Sequence, residues 1–439
     1  MKKILFYILT FSITATLYAQ DDVYPAPEYK GLLFIKNATI HVGNGQIINN
    51  GTIKVNNGKI VEVGTNIAIP ADNAKVFDAT GKNVYPGLII TSSQLGIKEI
   101  GGNAVKGSND YEEIGEYNTS VKSISAYNAD SKITGTLRAN GILLANVVPQ
   151  GGLLPGISSV VQVDAWGPED AAYKNDVGVH FNMPNLLPRP RFGGGGGGGF
   201  RQQQVEDPVK QALERIEEVK DFFRQAKAYL AETTHKETNL KFEGLRPLFE
   251  KKEKFFVACN IVKQMLIAID FAKEFGFDVV IVGGSDSWQI ADLLKQNNIA
   301  VILNQEHNLP TAEDDDIDQP YKTPAMLQKA GVLFALNDDD ENSRQRNLPF
   351  NAGTSIAYGL DKEEALKATT LNAAKILGID DRTGSIEVGK DANIIICKGD
   401  IFDMRSSIVT EAFIQGRKVN LENKQTQLYE RYKHKYNIK

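Results

Sequence analysis

The chain has 439 residues, 49 basic and 54 acidic side chains and a formal charge of −5. That slightly acidic balance gives no reason to expect nucleic acid as a partner, and the length is that of an enzyme-sized globular chain with a sizeable core. Two cysteines, Cys259 and Cys397, each fall in a predicted strand of a different domain. They read as two buried free thiols rather than a disulfide.

Lys2-Lys3, an apolar run from Ile4 to Ala15 and then Leu17-Tyr18-Ala19 have the layout of a signal peptide cleaved near Ala19. The run is too short for a spanning helix, and no later segment is long and apolar enough to cross a bilayer. The expectation is therefore an exported protein, periplasmic or extracellular. Residues 32–83 and 385–421 read as short strands forming a composite β-sandwich, and Asn57-Gly58 between two alternating runs is a two-residue hairpin signal.

Between them, residues 84–384 contain eight strand-like runs that alternate with helical ones. They are Leu88 to Ser93, Ile142 to Val148, Ser158 to Val163, Val177 to Asn182, Phe255 to Cys259, Val279 to Val282, Ala300 to Leu303 and Val332 to Asn337. Most are continuous apolar runs, as expected of parallel strands covered by helices, so the pattern predicts an α/β fold with a (β/α)8 TIM-type barrel. Chemistry in that fold sits at the C-terminal strand ends.

An insertion at about 184–254 interrupts the barrel. Pro188 to Arg191 and the Gly193 to Gly199 tract read as a flexible tether, and the tract lacks the Gly-Lys-Ser/Thr ending of a phosphate loop. Asp207-Pro208 starts a helix, with Val209, Ala212, Leu213, Ile216, Val219, Phe223 and Ala226 along one face. The segment is either an outer barrel helix with a long loop or a lid over the mouth. Residues 422–439 form a tail.

Polar residues at the expected strand ends are the site candidates. Ser92 and Gln94, at i and i+2, share a face at the end of the first strand. His180 ends the fourth strand, Asn260 follows the fifth, His307 lies in the loop after the seventh, and Asp338 to Glu341 follow the eighth. Trp166 and Trp288 are each close to a carboxylate and are expected to wall a pocket at the active-site face. Five histidines, His41, His180, His235, His307 and His434, include no ligand pair. The alternating acids Asp338, Asp340 and Asp314, Asp316, Asp318 fail as calcium loops, because Ser343 and Gln319 stand where glycine is needed.

Several segments together resemble the amidohydrolase superfamily, in its imidazolonepropionase-related branch. Asn83 to Leu95, with Pro86-Gly87-Leu88-Ile89, is similar to the superfamily's first barrel strand. Ile35 to Ile40 and Gly51 to Gly64 resemble the amino-terminal sandwich strands. Glu363 to Lys375, Leu377-Gly378, Gly384 to Ala392 and Asn393 to Cys397 resemble the carboxy-terminal signature. The resemblance implies a hydrolase of non-peptide C–N bonds in a small cyclic amide or N-acyl compound, using zinc or iron.

By the same resemblance the metal-binding histidines fall at Ser92, Gln94, Ala258 and Gly283 or Gly284, so no cofactor is expected here. The superfamily's aspartate, holder of the metal and proton acceptor, falls at Asp338 or Asp339. The resemblance thus makes Asp339 or Asp338 the general base, while position alone makes His180 a candidate ligand or general base and sets Ser92, Gln94, Asn260, His307, Trp166 and Trp288 around a small-molecule substrate. The competing expectations are a catalytically silent binding or scaffold protein, and an assembly with itself or with an active homologue.

Overall fold

The computed structural model describes residues 24–99, 109–187, 207–304, 306–338 and 342–438. The expected signal peptide, the Gly193 to Gly199 tract and Asp339 to Glu341 lie outside the described residues.

Residues 32–86 and 394–418 build one eight-stranded sheet. Its strands are β1 (Leu32–His41), β2 (Ile47–Asn56), β3 (Lys59–Gly64), β4 (Ala74–Asp78), β5 (Asn83–Pro86), β14 (Ile394–Lys398), β15 (Ile408–Ile414) and β16 (Arg417–Lys418). The order is β16-β15-β14-β5-β1-β2-β3, with β4 also beside β1. The two chain ends interlock where β5 pairs β14, Tyr85 opposite Ile395 and Val84 opposite Ile396. Ile35, Ile40, Ile53, Val84, Ile394 and Phe413 fill the core. Asn57 and Gly58 both have positive φ, 48° and 78°, as a tight primed turn between β2 and β3 requires.

The second sheet is the barrel: β6 (Leu88–Ser93), β7 (Ile142–Val147), β8 (Ile157–Gln162), β9 (Ala172–Asn182), β10 (Lys254–Cys259), β11 (Val279–Gly283), β12 (Ala300–Leu303) and β13 (Phe334–Leu336), hydrogen-bonded in chain order. One feature departs from the expected regular (β/α)8 pattern. β8 runs antiparallel to both β7 and β9, whereas the other neighbours are parallel. Connection length explains it, because a parallel crossover needs about a dozen residues. Residues 148–156 and 163–171 are too few to carry the chain back, so β7, β8 and β9 form a meander.

Ile89, Leu144, Val160, Phe256, Val280, Ile302 and Ala335 point into the barrel and fill it, and Ile376 and Leu377 of the helix Leu371–Leu377 belong to the same apolar cluster. The helix Pro208–Ala231 packs outside: Ala212, Ile216, Val219, Phe223 and Ala226 are buried, and Phe223 meets Phe255 of β10 edge-on at 5.4 Å. Leu213, assigned to the buried face from its spacing, is 47% exposed. Asp207 caps the helix by accepting the Val209 amide at 3.0 Å. The helix is thus an outer barrel helix, not a cover for the mouth. Both cysteines are free and buried.

β13 and β6 are not paired as strands, and the Asn337 side chain spans the gap. Its Oδ1 accepts from the Thr91 and Ser92 amides, both at 3.1 Å, and its Nδ2 donates to the Ser92 carbonyl at 3.2 Å. An amide side chain thereby does the work of a ladder.

Below the barrel, Glu253 precedes β10. It is buried and neither carboxyl oxygen has a hydrogen-bond partner. Burial, then the Asp176 charge, push its pKa up to about 8 against the opposing pull of Lys122 and Lys174. The unfolded chain releases this proton near the ordinary carboxylate value and the folded chain near 8, so this group makes stability fall as pH rises between the two. Glu253→Met is expected to flatten that slope and to add about 1–3 kcal/mol at pH 8, by removing unpaired buried oxygens. Urea melts at pH 5, 7 and 9 check it; an unchanged pH dependence would refute the assignment.

Candidate functional site

A cavity of about 190 Å³ opens at the C-terminal ends of β6, β9, β10 and β11. Ser92, Ser93 and Gln94 line it from β6 and the turn beyond, His180 and Asn182 from β9, Ala258 from β10 and Val282 from β11, with Asn304, Gln345 and Lys98 completing the wall. The strand-end alternation that places Ser92 and Gln94 there is a property of the chain, but their meeting with His180 requires the sheet to curl round. Gln345, in the 3-10 segment Asn342–Asn347, ties the wall together. It accepts from Ser93 Oγ at 2.6 Å and donates to the carbonyls of Ser92 at 3.1 Å and Asp338 at 2.8 Å.

His180 is buried and stacks on Phe256, ring centres 4.8 Å apart. Its Nε2 has no partner, and burial pushes its pKa down to about 3. Burial favours the neutral imidazole and weakens it as a proton acceptor, which counts against the acid–base role expected of it. It remains a neutral hydrogen-bonding group in the wall.

Asp338 is buried, and its Oδ2 accepts from Asn351 Nδ2 at 3.1 Å on the helix Leu348–Ala357. It is not among the residues lining the mouth cavity. Asp339 lies outside the described residues.

A second cavity of about 120 Å³ adjoins the first, with Asn304 in both walls. Asn260 and Trp288 line this one rather than the mouth cavity, together with Asp286, Glu306, Asp315 and Gln319. Asn260 Oδ1 accepts from Ser285 Oγ at 3.1 Å. His307 lines neither cavity; it is exposed and its Nε2 meets Thr354 Oγ1 at 2.9 Å.

Trp166 is displaced furthest from its expected place. Because β8 is reversed, its C-terminal end points away from the mouth, and Trp166 sits 69% exposed at the opposite end of the barrel beside Tyr24. Its neighbour Asp164 is structural: it takes Arg138 Nη1 at 3.0 Å and Arg417 Nη1 at 3.1 Å, joining the barrel to β16.

Glu306 and Gln345 escape a reading of the sequence. Glu306 lies in the same loop as His307, and nothing in its local pattern distinguishes it from a solvated loop acid. In the fold it is 3% exposed, its Oε2 accepts from Ser355 Oγ at 2.5 Å, and its Oε1 has no partner. Burial is the chief reason its pKa rises to about 8, with Ser355 opposing and Asp338 adding.

The mouth does not fit a zinc or iron ion. Among the described residues no three His, Cys, Asp or Glu side chains are grouped to hold a metal. A hydroxyl and a neutral amide at Ser92 and Gln94 are weak replacements for imidazole, and Ala258 has no donor. Gly283 could not carry a ligand: its φ is +106° and a Cβ there would lie 2.4 Å from Asn260 Oδ1. Val282, one residue earlier, is the side chain that reaches the cavity.

Comparison with known proteins places this architecture. Residues 208–419 match the model of the amidohydrolase family. Imidazolonepropionase of Thermoplasma volcanium is 37% identical over 82 residues, 18% of this chain and 20% of that protein. Imidazolonepropionase of Flavobacterium psychrophilum is 28% identical over 155 residues, 31% of this chain and 38% of that protein. The matches thus span about a fifth to two fifths of the length of these curated relatives. The crystal structure of an amidohydrolase from Thermotoga maritima superposes with a TM-score of 0.74 at 27% identity, covering 88% of this chain and 99% of that one. A prolidase complexed with N-methylphosphonate-L-proline, 12% identical with a TM-score of 0.53, shares the fold.

Proposed function

We propose that this chain, which belongs to the amidohydrolase superfamily, hydrolyses a C–N bond in a small polar molecule at the barrel mouth, with a hydrogen-bonding pocket in place of a metal centre. The observation that carries the reading is the cavity that gathers Ser92, Gln94, His180, Asn304 and Gln345 at the strands' C-terminal ends. This is where a barrel of this kind does its chemistry. The imidazolonepropionase relatives support the bond type. The lining mixes polar side chains with the apolar Leu95, Ile133, Val148, Phe181 and Val282, and Lys98 is its one charged side chain among the described residues. Such a wall suits a neutral cyclic amide or N-acyl compound, with Ser92, Gln94 and Asn304 offering hydrogen bonds to its carbonyl oxygen as charge develops there.

Absence of a metal-bound hydroxide removes several kcal/mol of assistance, so slow turnover follows from this reading. A second reading, a binding protein that keeps the pocket and has lost turnover, is favoured by two observations: His180 is buried, which disfavours its charged form, and Asp338 is engaged by Asn351. Export, on the strength of the amino-terminal segment, belongs to the same proposal and is checked by cell fractionation.

The test is metal analysis of the purified protein beside a hydrolysis screen of cyclic amides and N-acyl compounds. Substoichiometric zinc and iron are expected, with turnover insensitive to chelator and lost in Gln94→Ala. Saturable binding without turnover would move the conclusion to the second reading, and one equivalent of tightly held metal would overturn the metal-free site.

A further inference from the structure

We infer that the second cavity is a separate recognition site for an uncharged carboxamide group, held between the Trp288 indole N–H and the Glu306 carboxyl. The cavity lies between the ends of β11 and β12 and the helix Gln319–Ala330, outside the wall formed by Ser92, Gln94 and His180. Two of its lining side chains carry buried polar atoms with no partner: Trp288 Nε1, a donor only, and Glu306 Oε1. An unpaired buried polar atom is costly, and here a donor and an acceptor are left open in one small cavity.

A carboxamide answers both atoms at once, its carbonyl taking the indole N–H and its N–H reaching the carboxyl oxygen. Anions are disfavoured, because Asp286 and Asp315 line the same cavity. Its volume, about 120 Å³, is below the range of drug-sized pockets and suits a fragment-sized group. Asn304, shared by both walls, makes the two cavities neighbours. The assignment stands without any turnover at the mouth.

The chain has two tryptophans, and Trp166 is at the other end of the barrel. In a Trp166→Phe protein, Trp288 is therefore the sole reporter. Titration of this protein with acetamide and 2-pyrrolidone should give a saturable change in indole emission, while acetate gives none and guanidinium binds more weakly. Glu306→Met should weaken the amide at least about tenfold, as loss of one buried hydrogen bond predicts. Glu306→Gln, which keeps an acceptor oxygen, should stay within about threefold and covers the case in which the methionine variant does not fold. Gln94→Ala should leave the titration unchanged even where it abolishes hydrolysis, which separates this site from the mouth. No saturable change in the folded protein, equal affinity in Glu306→Met, or tighter binding of guanidinium than of either amide would each overturn the assignment.

Discussion

Asn337→Ala is expected to cost about 3–5 kcal/mol of folding stability, a large share of what a domain possesses. Asn337 is 1% exposed and joins the last barrel strand to the first through four hydrogen bonds, to Thr91 and Ser92, with a fifth to Asn304 after β12. Removing the amide leaves the main-chain N–H groups of Thr91 and Ser92 buried at an unpaired strand edge, each at a penalty of about 1–3 kcal/mol. Asn337→Asp keeps the acceptor and loses the donor to the Ser92 carbonyl, so it should fall between alanine and the parent. Urea denaturation with an unchanged m-value is the measurement. A loss below 1 kcal/mol for alanine would mean that the two strands are held together by something other than this side chain.

The second large effect concerns the mouth. Ser92→His, Gln94→His and Ala258→His together should convert a site without metal affinity into one that binds a single zinc ion at micromolar concentration or tighter, worth about 8 kcal/mol. All three positions line the same cavity, which has room for the added rings, and strand ends at a mouth tolerate polar side chains. A fourth histidine belongs at Val282, because Gly283 has positive φ and Asn260 Oδ1 occupies the space its Cβ would need. Calorimetry gives the stoichiometry, and zinc at a hundred times its Kd should add about 2.7 kcal/mol of stability. A folded variant that ignores zinc would show that the ends of β6 and β10 do not converge as described.

Much of the scaffold is legible along the chain because it is set by local rules. Continuous apolar runs mark the eight barrel strands, Asn57-Gly58 marks a turn that needs two positive φ values, and Asp207-Pro208 marks a helix start whose cap is formed by its own side chain. Even the reversal of β8 has a sequence trace in its two nine-residue connections, although apolar runs alone do not reveal strand direction. The face of a helix is less secure, since Leu213 fits the spacing and yet finds no neighbour to cover it.

The site divides along the same line. Alternation within one strand is enough to place Ser92 and Gln94 together, and the residue types alone say that neither is a good metal ligand. Only the closed sheet decides that His180 is stacked on Phe256 and stripped of its basicity, because burial depends on strands brought together from across the sequence. The same holds for Glu306, an ordinary loop acid in the sequence, which is raised towards neutrality by burial, with the Asp338 charge adding and the Ser355 hydroxyl opposing. Trp166 moves to the far end of the barrel because one strand runs backwards, and Asn337 becomes the barrel's closure because its partners are some 246 residues away. Periodicity and turn chemistry act between near neighbours and can be read from the chain; desolvation and hydrogen-bond partnership act across it and exist only once it has folded.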